Sequence, residues 1–422
     1  TCRYPDIFKL TRICPVFKKG DKCLVENYRP ISIMCNFAKI FEFIISDLIA
    51  FHMNKIISEH QHGFIYKRST VTNLLSKTQY ISECLDRGNQ VDVIYLDFSR
   101  AFDSINHTLL LDKLECFGFS DSFILLLNSY LSNRSTYVNY RGFTSYTFTQ
   151  SSGVPQGSVL GPLLFVLYIN DITETLYTKH LLYADDLKIY HEIKNTSDCS
   201  MLQQDLQNIL NWSTLNHLNI NKTKCYVMSF TRNEYKVNYH YSIDDVILNR
   251  PNVVNDLGVT FDAKLSFSCH IRKISDDAYK CLGFVIRNSK SFNDTSTIMT
   301  LYIAFVRSKI EYASTIWSPC YKIYCSDLEK IQRRFLKFCA FFVDGFYPIR
   351  NFPQDLLLSR FALQSLSIRR SMQASVILFK IIQNIVECKY ILNQISLHTP
   401  RINCRYHHIF QPLRARTNML MF

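Results

Sequence analysis

The 422 residues carry 48 Lys and Arg against 35 Asp and Glu, a formal charge of +13, and 47% of the side chains are hydrophobic, 14% aromatic and 20% charged. This composition excludes a disordered chain, which combines few apolar residues with high charge, and the length implies more than one small module. The positive surplus points to a polyanionic partner, a nucleic acid or an anionic membrane surface.

In chain order, the text opens on Thr1 rather than Met and runs into the basic segment Phe17-Lys18-Lys19-Gly20-Asp21-Lys22, which reads as a piece of a longer product. Phe37, Ile40, Phe41, Ile44, Ile45, Leu48 and Ile49 recur at three- and four-residue steps. That spacing predicts an amphipathic helix over 37–51 with Lys39, Glu42 and Asp47 on its outer face. Residues 91–98, Val-Asp-Val-Ile-Tyr-Leu-Asp-Phe, are β-branched and aromatic and predict a buried strand ending near Asp97. Apolar helical stretches follow at 109–131 and again at 163–169, the latter opened by Gly161-Pro162.

Leu181-Leu182-Tyr183 and Leu187-Lys188-Ile189-Tyr190 flank Ala184-Asp185-Asp186 and predict a β-hairpin with acid at its tip. A helix over 202–218 and a strand over 225–230 complete the order βαββαβ, that of a ferredoxin-like sheet. Beyond about residue 270 the pattern is helical, over 271–285, 301–312 and 328–342, and Ser326 with Glu329 predicts a capping box for the last of these.

The apolar runs at 159–169 and 376–386 fall short of the ~20 residues a membrane span needs, so no crossing is expected. Fifteen scattered cysteines and the absence of an opening signal peptide fit a reducing compartment. Neither Cys320 with Cys325 nor Cys404 with His407 and His408 has a second ligand pair at zinc-finger spacing.

Acid at the tip of an apolar hairpin is poor packing, and clustered carboxylates repel. The βαββαβ order brings the strand before Asp97 beside the hairpin, so Asp97, Asp185 and Asp186 are expected to form one cluster of hard oxygen ligands. Such a cluster suits Mg²⁺, and two ions about 4 Å apart serve in-line phosphoryl chemistry. The residues therefore suggest nucleotidyl transfer.

Asp97-Phe98-Ser99-Arg100-Ala101-Phe102-Asp103, Ser152-Gly153-Val154-Pro155-Gln156-Gly157-Ser158 and Tyr183-Ala184-Asp185-Asp186 resemble, in order and spacing, three core motifs of reverse transcriptases. Tyr28-Arg29-Pro30-Ile31-Ser32, His62-Gly63-Phe64, Leu257-Gly258-Val259 and the run from Glu311 to Phe335 look like the polymerases of jockey-type non-LTR (LINE-like) retrotransposons. The resemblance covers nearly the whole chain. It implies an α+β right-hand polymerase with fingers at 1–90, a ferredoxin-like palm at 91–265, a helical thumb at 266–345 and a helical, basic extension at 346–422.

It further implies that Asp97 and Asp185 bind two Mg²⁺ ions, or Mn²⁺, with Asp186 completing the cluster and the Phe98 carbonyl as an added ligand. Phe102 would stand against C2′ of the incoming sugar and exclude a ribose hydroxyl, which favours dNTP over rNTP. In the loop from Gly153 to Gly157 the glycines would let backbone approach the nascent pair, and Gln156 would hydrogen-bond template or nucleotide. Lys18, Lys19 and Arg29 would meet the triphosphate. Lys222 would protonate pyrophosphate or stabilise its charge, and Leu257 with Gly258 would form the primer grip. Lys330, Arg333, Arg334 and Lys337 would track phosphates, with salt-dependent affinity. Arg401, Arg405, Arg414 and Arg416 are further candidates for RNA contact.

The function implied is RNA-directed DNA polymerisation on an RNA template from a DNA primer or target, acting in the nucleus. An RNA-dependent RNA polymerase shares the palm and metals, but Phe102 and Ala184 argue against it. A non-catalytic nucleic-acid-binding remnant is disfavoured because all three aspartates are present. Full elements of this family carry an endonuclease ahead of the polymerase, and this chain alone is not expected to nick DNA.

Overall fold

In the computed structural model, which describes residues 2–292, 294–350 and 352–396, every residue of the strand Gln90–Leu96 is buried. β-branched and aromatic side chains fill both faces of this strand, which therefore belongs inside a sheet. It lies in a four-stranded sheet in the order Lys179–Tyr183, Asp186–Ile193, Gln90–Leu96, Tyr226–Phe230. This is the order expected for a ferredoxin-like palm. The helices Leu160–Ile169 and Thr196–Leu215 bury Leu164, Phe165, Leu202, Leu206 and Ile209 in one apolar core with Ile94, Leu96, Leu182 and Ile189.

The described residues divide into two compact units, those within 1–69, 92–227 and 237–250 in one, and those within 70–91, 228–236 and 251–422 in the other. In the first unit, Leu10–Phe17 pairs antiparallel with Tyr28–Ile33 and parallel with Arg134–Tyr140. The basic tip 18–27 is thus the connection between two paired strands.

The helix expected over 37–51 extends over Asn36–Ile56, and its buried face is rotated relative to the expectation, keeping Ile45 and Ile49 inside but taking in Glu42. Ala38, Glu42, Ile45, Ile49 and Met53 are buried, while Phe37, Ile40, Ile44 and Leu48 are each more than half exposed. The reason lies outside the helix: the Glu42 carboxylate accepts from the amides of Val159 (2.8 Å) and Leu160 (3.4 Å). Those amides have no carbonyl partner within their own helix, and a carboxylate is favoured at that end. Burial raises the Glu42 pKa, and the two amide bonds oppose the rise.

The second unit contains the hairpin Val253–Asp256 and Val259–Asp262 and the helices Thr70–Asp86, Ser268–Asn288, Thr295–Tyr302, Lys322–Asp344 and Leu366–Ile382. Tyr302 stacks on Phe335 with ring centroids 3.9 Å apart. The helix expected over 301–312 is interrupted by a π-turn at Ile303–Arg307. The capping box is not formed: the helix begins at Lys322, which places Ser326 inside it, and Glu329 accepts instead from Gln354 Nε2 and the Ser367 amide. Arg401, Arg405, Arg414, Arg416 and the group Cys404, His407 and His408 lie outside the described residues. Among the described residues no helix is long and apolar enough to cross a membrane.

Candidate active site

Asp97 follows the last residue of the strand Gln90–Leu96, and Asp185 sits in the two-residue turn between the neighbouring hairpin strands, which close on the pair Tyr183 and Asp186. Burial, and then the negative charge of Asp97, raise the Asp185 pKa above its ordinary value, while Lys18 and Lys224 act in the opposite direction. The strand that ends before Asp97 lies beside the strand that leaves the Asp185 turn, so the two aspartates stand at neighbouring strand ends, each feeling the other's charge. Asp97 is held from the side by main-chain bonds: the Asn221 amide donates to the Asp97 carbonyl (2.8 Å) and the Ser99 amide to the Asn219 carbonyl (2.7 Å). Phe98 is buried edge-on to Trp212, which fixes the backbone between them.

Asp186, expected to complete the cluster, is exposed and is the first residue of the return strand. Among the described residues no three His, Cys, Asp or Glu side chains gather at metal-holding spacing. What the fold assembles is a pair of hard oxygen donors whose mutual repulsion is only partly offset. Such a pair fits a divalent cation, which relieves that repulsion.

The two lysines of the segment after Asn221 take different partners. Lys222 pairs with Asp244 at 2.8 Å, whereas Lys224 Nζ lies 2.8 Å from Asp97 Oδ2. In the short segment 221–225 the side chains two residues apart go to different partners, and spacing alone did not distinguish them.

The loop expected to approach the nascent pair is seated on the segment after Asp97. The Gly153 amide donates to the Ile105 carbonyl (2.8 Å), the Val154 amide to the Phe102 carbonyl (2.9 Å), and His107 Nε2 is 2.8 Å from the Gly153 carbonyl oxygen. A Cβ at Gly153 would lie 2.7 Å from the Asp103 backbone, at a φ of +78°. A Cβ at Gly157, with φ +115°, would lie 2.7 Å from the Ser32 carbonyl oxygen. Both glycines are thus required by packing within the protein. The Gln156 side-chain amide donates to Asp103 Oδ1 at 2.9 Å, so Asp103 orients it. Burial raises the Asp103 pKa and the bond from Gln156 opposes the rise.

Phe102 is half-buried and stacks on Phe165 at 4.5 Å. Lys18 and Lys19 are exposed at the tip, and Arg29 is exposed on the strand opposite Val16.

In the second unit, Leu257 and Gly258 form the two-residue turn of the hairpin, both at positive φ. Tyr312 Oη donates to the Leu257 carbonyl at 2.9 Å. On the helix Lys322–Asp344, Lys330 and Arg334 are exposed and Lys337 half-buried. Lys330 pairs with Asp327 at 2.8 Å, and Arg333 turns inward to donate to the Phe352 carbonyl at 3.1 Å. The basic face is therefore narrower than the four residues expected.

One residue not singled out in the sequence holds the turn that carries Asp185. Gln61, buried beside His62 and Gly63, bonds the hairpin turn. The backbone demand of Gly63 was the signal available for that contact.

The chain is similar to the protein named "Probable RNA-directed DNA polymerase from transposon BS" of Drosophila melanogaster, 28% identical over 360 residues that cover 81% of this chain and 40% of that protein. It is 29% identical over 283 residues to the RNA-directed DNA polymerase from the mobile element jockey of the same organism, covering 64% and 31%. The chain spans about two fifths of the length of the curated relatives it matches first. A solved apo telomerase from Candida tropicalis superposes with a TM-score of 0.45 at 12% identity, over 83% of this chain and 68% of that one. The family model described as reverse transcriptase (RNA-dependent DNA polymerase) matches residues 16–286, a span that contains Asp97, Asp185 and both glycine-dependent contacts, and the chain belongs to that family.

Proposed function

We propose that this chain is the polymerase part of a non-LTR retrotransposon protein and acts as an RNA-directed DNA polymerase, adding dNTPs to a DNA primer 3′-OH along an RNA template. The observation that carries the reading is the nearness of Asp97 and Asp185, at the ends of strands that neighbour one another in the sheet. The architecture is the α+β right-hand polymerase, and membership of the family implies divalent-cation chemistry.

Asp97 and Asp185, with the Phe98 carbonyl, are the residues that would hold the cations, Mg²⁺ or Mn²⁺. When bound, a pair of such ions lowers the pKa of the attacking hydroxyl and neutralises the leaving oxygen. The chain's own groups do the rest. Lys224 is placed to neutralise or protonate pyrophosphate beside Asp97, replacing Lys222 in that role. Lys18, Lys19 and Arg29 bind the triphosphate. Phe102, stiffened by its stack on Phe165, selects deoxyribose by bulk. Leu257 and Gly258 support the primer, and Lys330, Arg334 and Lys337 contact phosphates.

Nucleic-acid partners follow from the same reading and from the charge of +13. One structural neighbour was solved in complex with a telomeric RNA fragment. A nuclear site of action accords with copying into chromosomal DNA. The test is primer extension on an RNA template with Mg²⁺, comparing dNTPs with rNTPs. Extension with dNTPs supports the reading, and none with dNTPs under Mg²⁺ or Mn²⁺ removes it.

A further inference from the structure

The turn that carries Asp185 is held by a residue far from it in sequence. Ala184, immediately before Asp185, has φ +56°, the left-handed conformation that a two-residue hairpin turn calls for and that an L side chain adopts less readily than glycine. Gln61 holds this turn from outside. Its Oε1 accepts from the Ala184 amide at 3.0 Å and from the Gly63 amide at 2.8 Å. Its Nε2 points to the Ala184 carbonyl at 3.5 Å.

The side chain is only 2% exposed, so water does not substitute for these bonds. Gln61 is itself fixed: its main chain bridges Leu182 in parallel, and the Arg68 guanidinium donates to its carbonyl at 2.7 Å. The Leu182 amide donates to the His60 carbonyl, and the His62 amide to the Leu182 carbonyl, each at 2.9 Å. Gly63 makes the approach possible, since a Cβ there would sit 2.3 Å from the Ala184 nitrogen.

We propose that Gln61 is a positioning residue that clamps the Ala184 backbone and thereby aims the Asp185 carboxylate toward Asp97. The inference rests on the proposed polymerase reading for its catalytic consequence, but the clamp itself is a property of the protein alone. The side-chain amide is suited to the task because it accepts from the turn amide while offering a donor to the turn carbonyl, a pair of roles that neither a carboxylate nor a hydrocarbon reproduces.

The test uses Gln61→Met, similar in length but without those bonds, and Gln61→Asn, one methylene too short to span them, in case the first variant does not fold. In metal-free protein, amide exchange at Ala184 should accelerate by about tenfold or more, as expected for a buried amide that has lost its acceptor, while Leu182, held by His60, keeps wild-type protection. In single-nucleotide addition, kcat should fall by about 10²-fold, the effect of a reacting group displaced by an ångström, with the KM for dNTP little changed. Wild-type exchange at Ala184 in a folded variant overturns the clamp. Accelerated exchange with undiminished kcat overturns its role in aiming Asp185. If the wild-type chain adds no nucleotide at all, the polymerase reading fails, and the exchange measurement still decides the clamp.

Discussion

Lys224 Nζ and Asp97 Oδ2 are 2.8 Å apart, while Lys222, two residues earlier in the chain, pairs with Asp244. The ammonium at the first acidic strand end is therefore supplied by Lys224. Both lysines are partly exposed, so neither pair contributes much stability, about 0–1 kcal/mol. Their difference should appear in rate. Lys224→Ala should lower single-nucleotide incorporation by about 10²-fold, the range of general acid assistance, with an unchanged melting temperature, whereas Lys222→Ala should stay close to wild type. Equal losses for the two variants in pre-steady-state incorporation would return the role to both or to neither.

Gly153→Ala should damage both stability and activity. The added methyl would meet the Asp103 backbone at 2.7 Å, at a φ of +78°. The combined strain and overpacking should cost about 2–4 kcal/mol. Thermal denaturation reads the first effect, and extension by the residual folded fraction reads the second. A variant as stable and active as wild type would show that the loop is not seated as described.

Phe102→Val should raise the use of rNTP relative to dNTP, because the ring that stacks on Phe165 supplies the bulk proposed to face the sugar. The ratio of kcat/KM values for matched nucleotides measures it. Unchanged sugar discrimination would leave Phe102 as a packing residue only.

Stability should decline on acidification below pH 6.5. Burial, followed by the charge of His180, holds His60 down at about 4, and burial holds His62 at about 3. Both imidazoles are neutral when folded and protonate near 6.5 when unfolded, so the unfolded chain binds more protons between pH 6.5 and about 4. Each group then removes up to about 1.4 kcal/mol of stability per pH unit within that window. The same linkage leaves stability flat with respect to these groups above pH 7. His60→Gln should shallow the acid limb in chemical denaturation, and an unaltered slope would argue against a buried neutral His60.

Tyr312 anchors the proposed primer grip by donating to the Leu257 carbonyl, and its ring covers Gly258. Tyr312→Phe should keep the ring and lose the bond, at a cost of about 1 kcal/mol. Under the proposed function, primer extension should become less processive while the first addition is retained. Loss of the first addition instead would point away from a primer-supporting turn.

The parts of the site that lie at strand ends were legible in the sequence, because an aspartate ending an apolar strand has no packing explanation. Asp97, the hairpin around Asp185 and the sheet order follow from that logic and from hydrophobic periodicity. The face of the helix Asn36–Ile56 did not, since periodicity counts apolar residues, and Glu42 is drawn inward by amides more than a hundred positions away. The strand Leu10–Phe17 was equally hidden: its burial does not alternate, so it carries no period-two signal. Lys224, Gln61 and the Asp103 bond to Gln156 are long-range choices of partner, which spacing within one segment does not encode.

The most direct measurement is Mn²⁺ binding to the chain with primer and template, read by electron paramagnetic resonance alongside single-nucleotide incorporation, for wild type, Asp97→Asn and Asp185→Asn. The account predicts that either substitution alone weakens bound Mn²⁺ and abolishes incorporation while the template stays bound. A folded variant at either position that holds the ion and incorporates like wild type would contradict it.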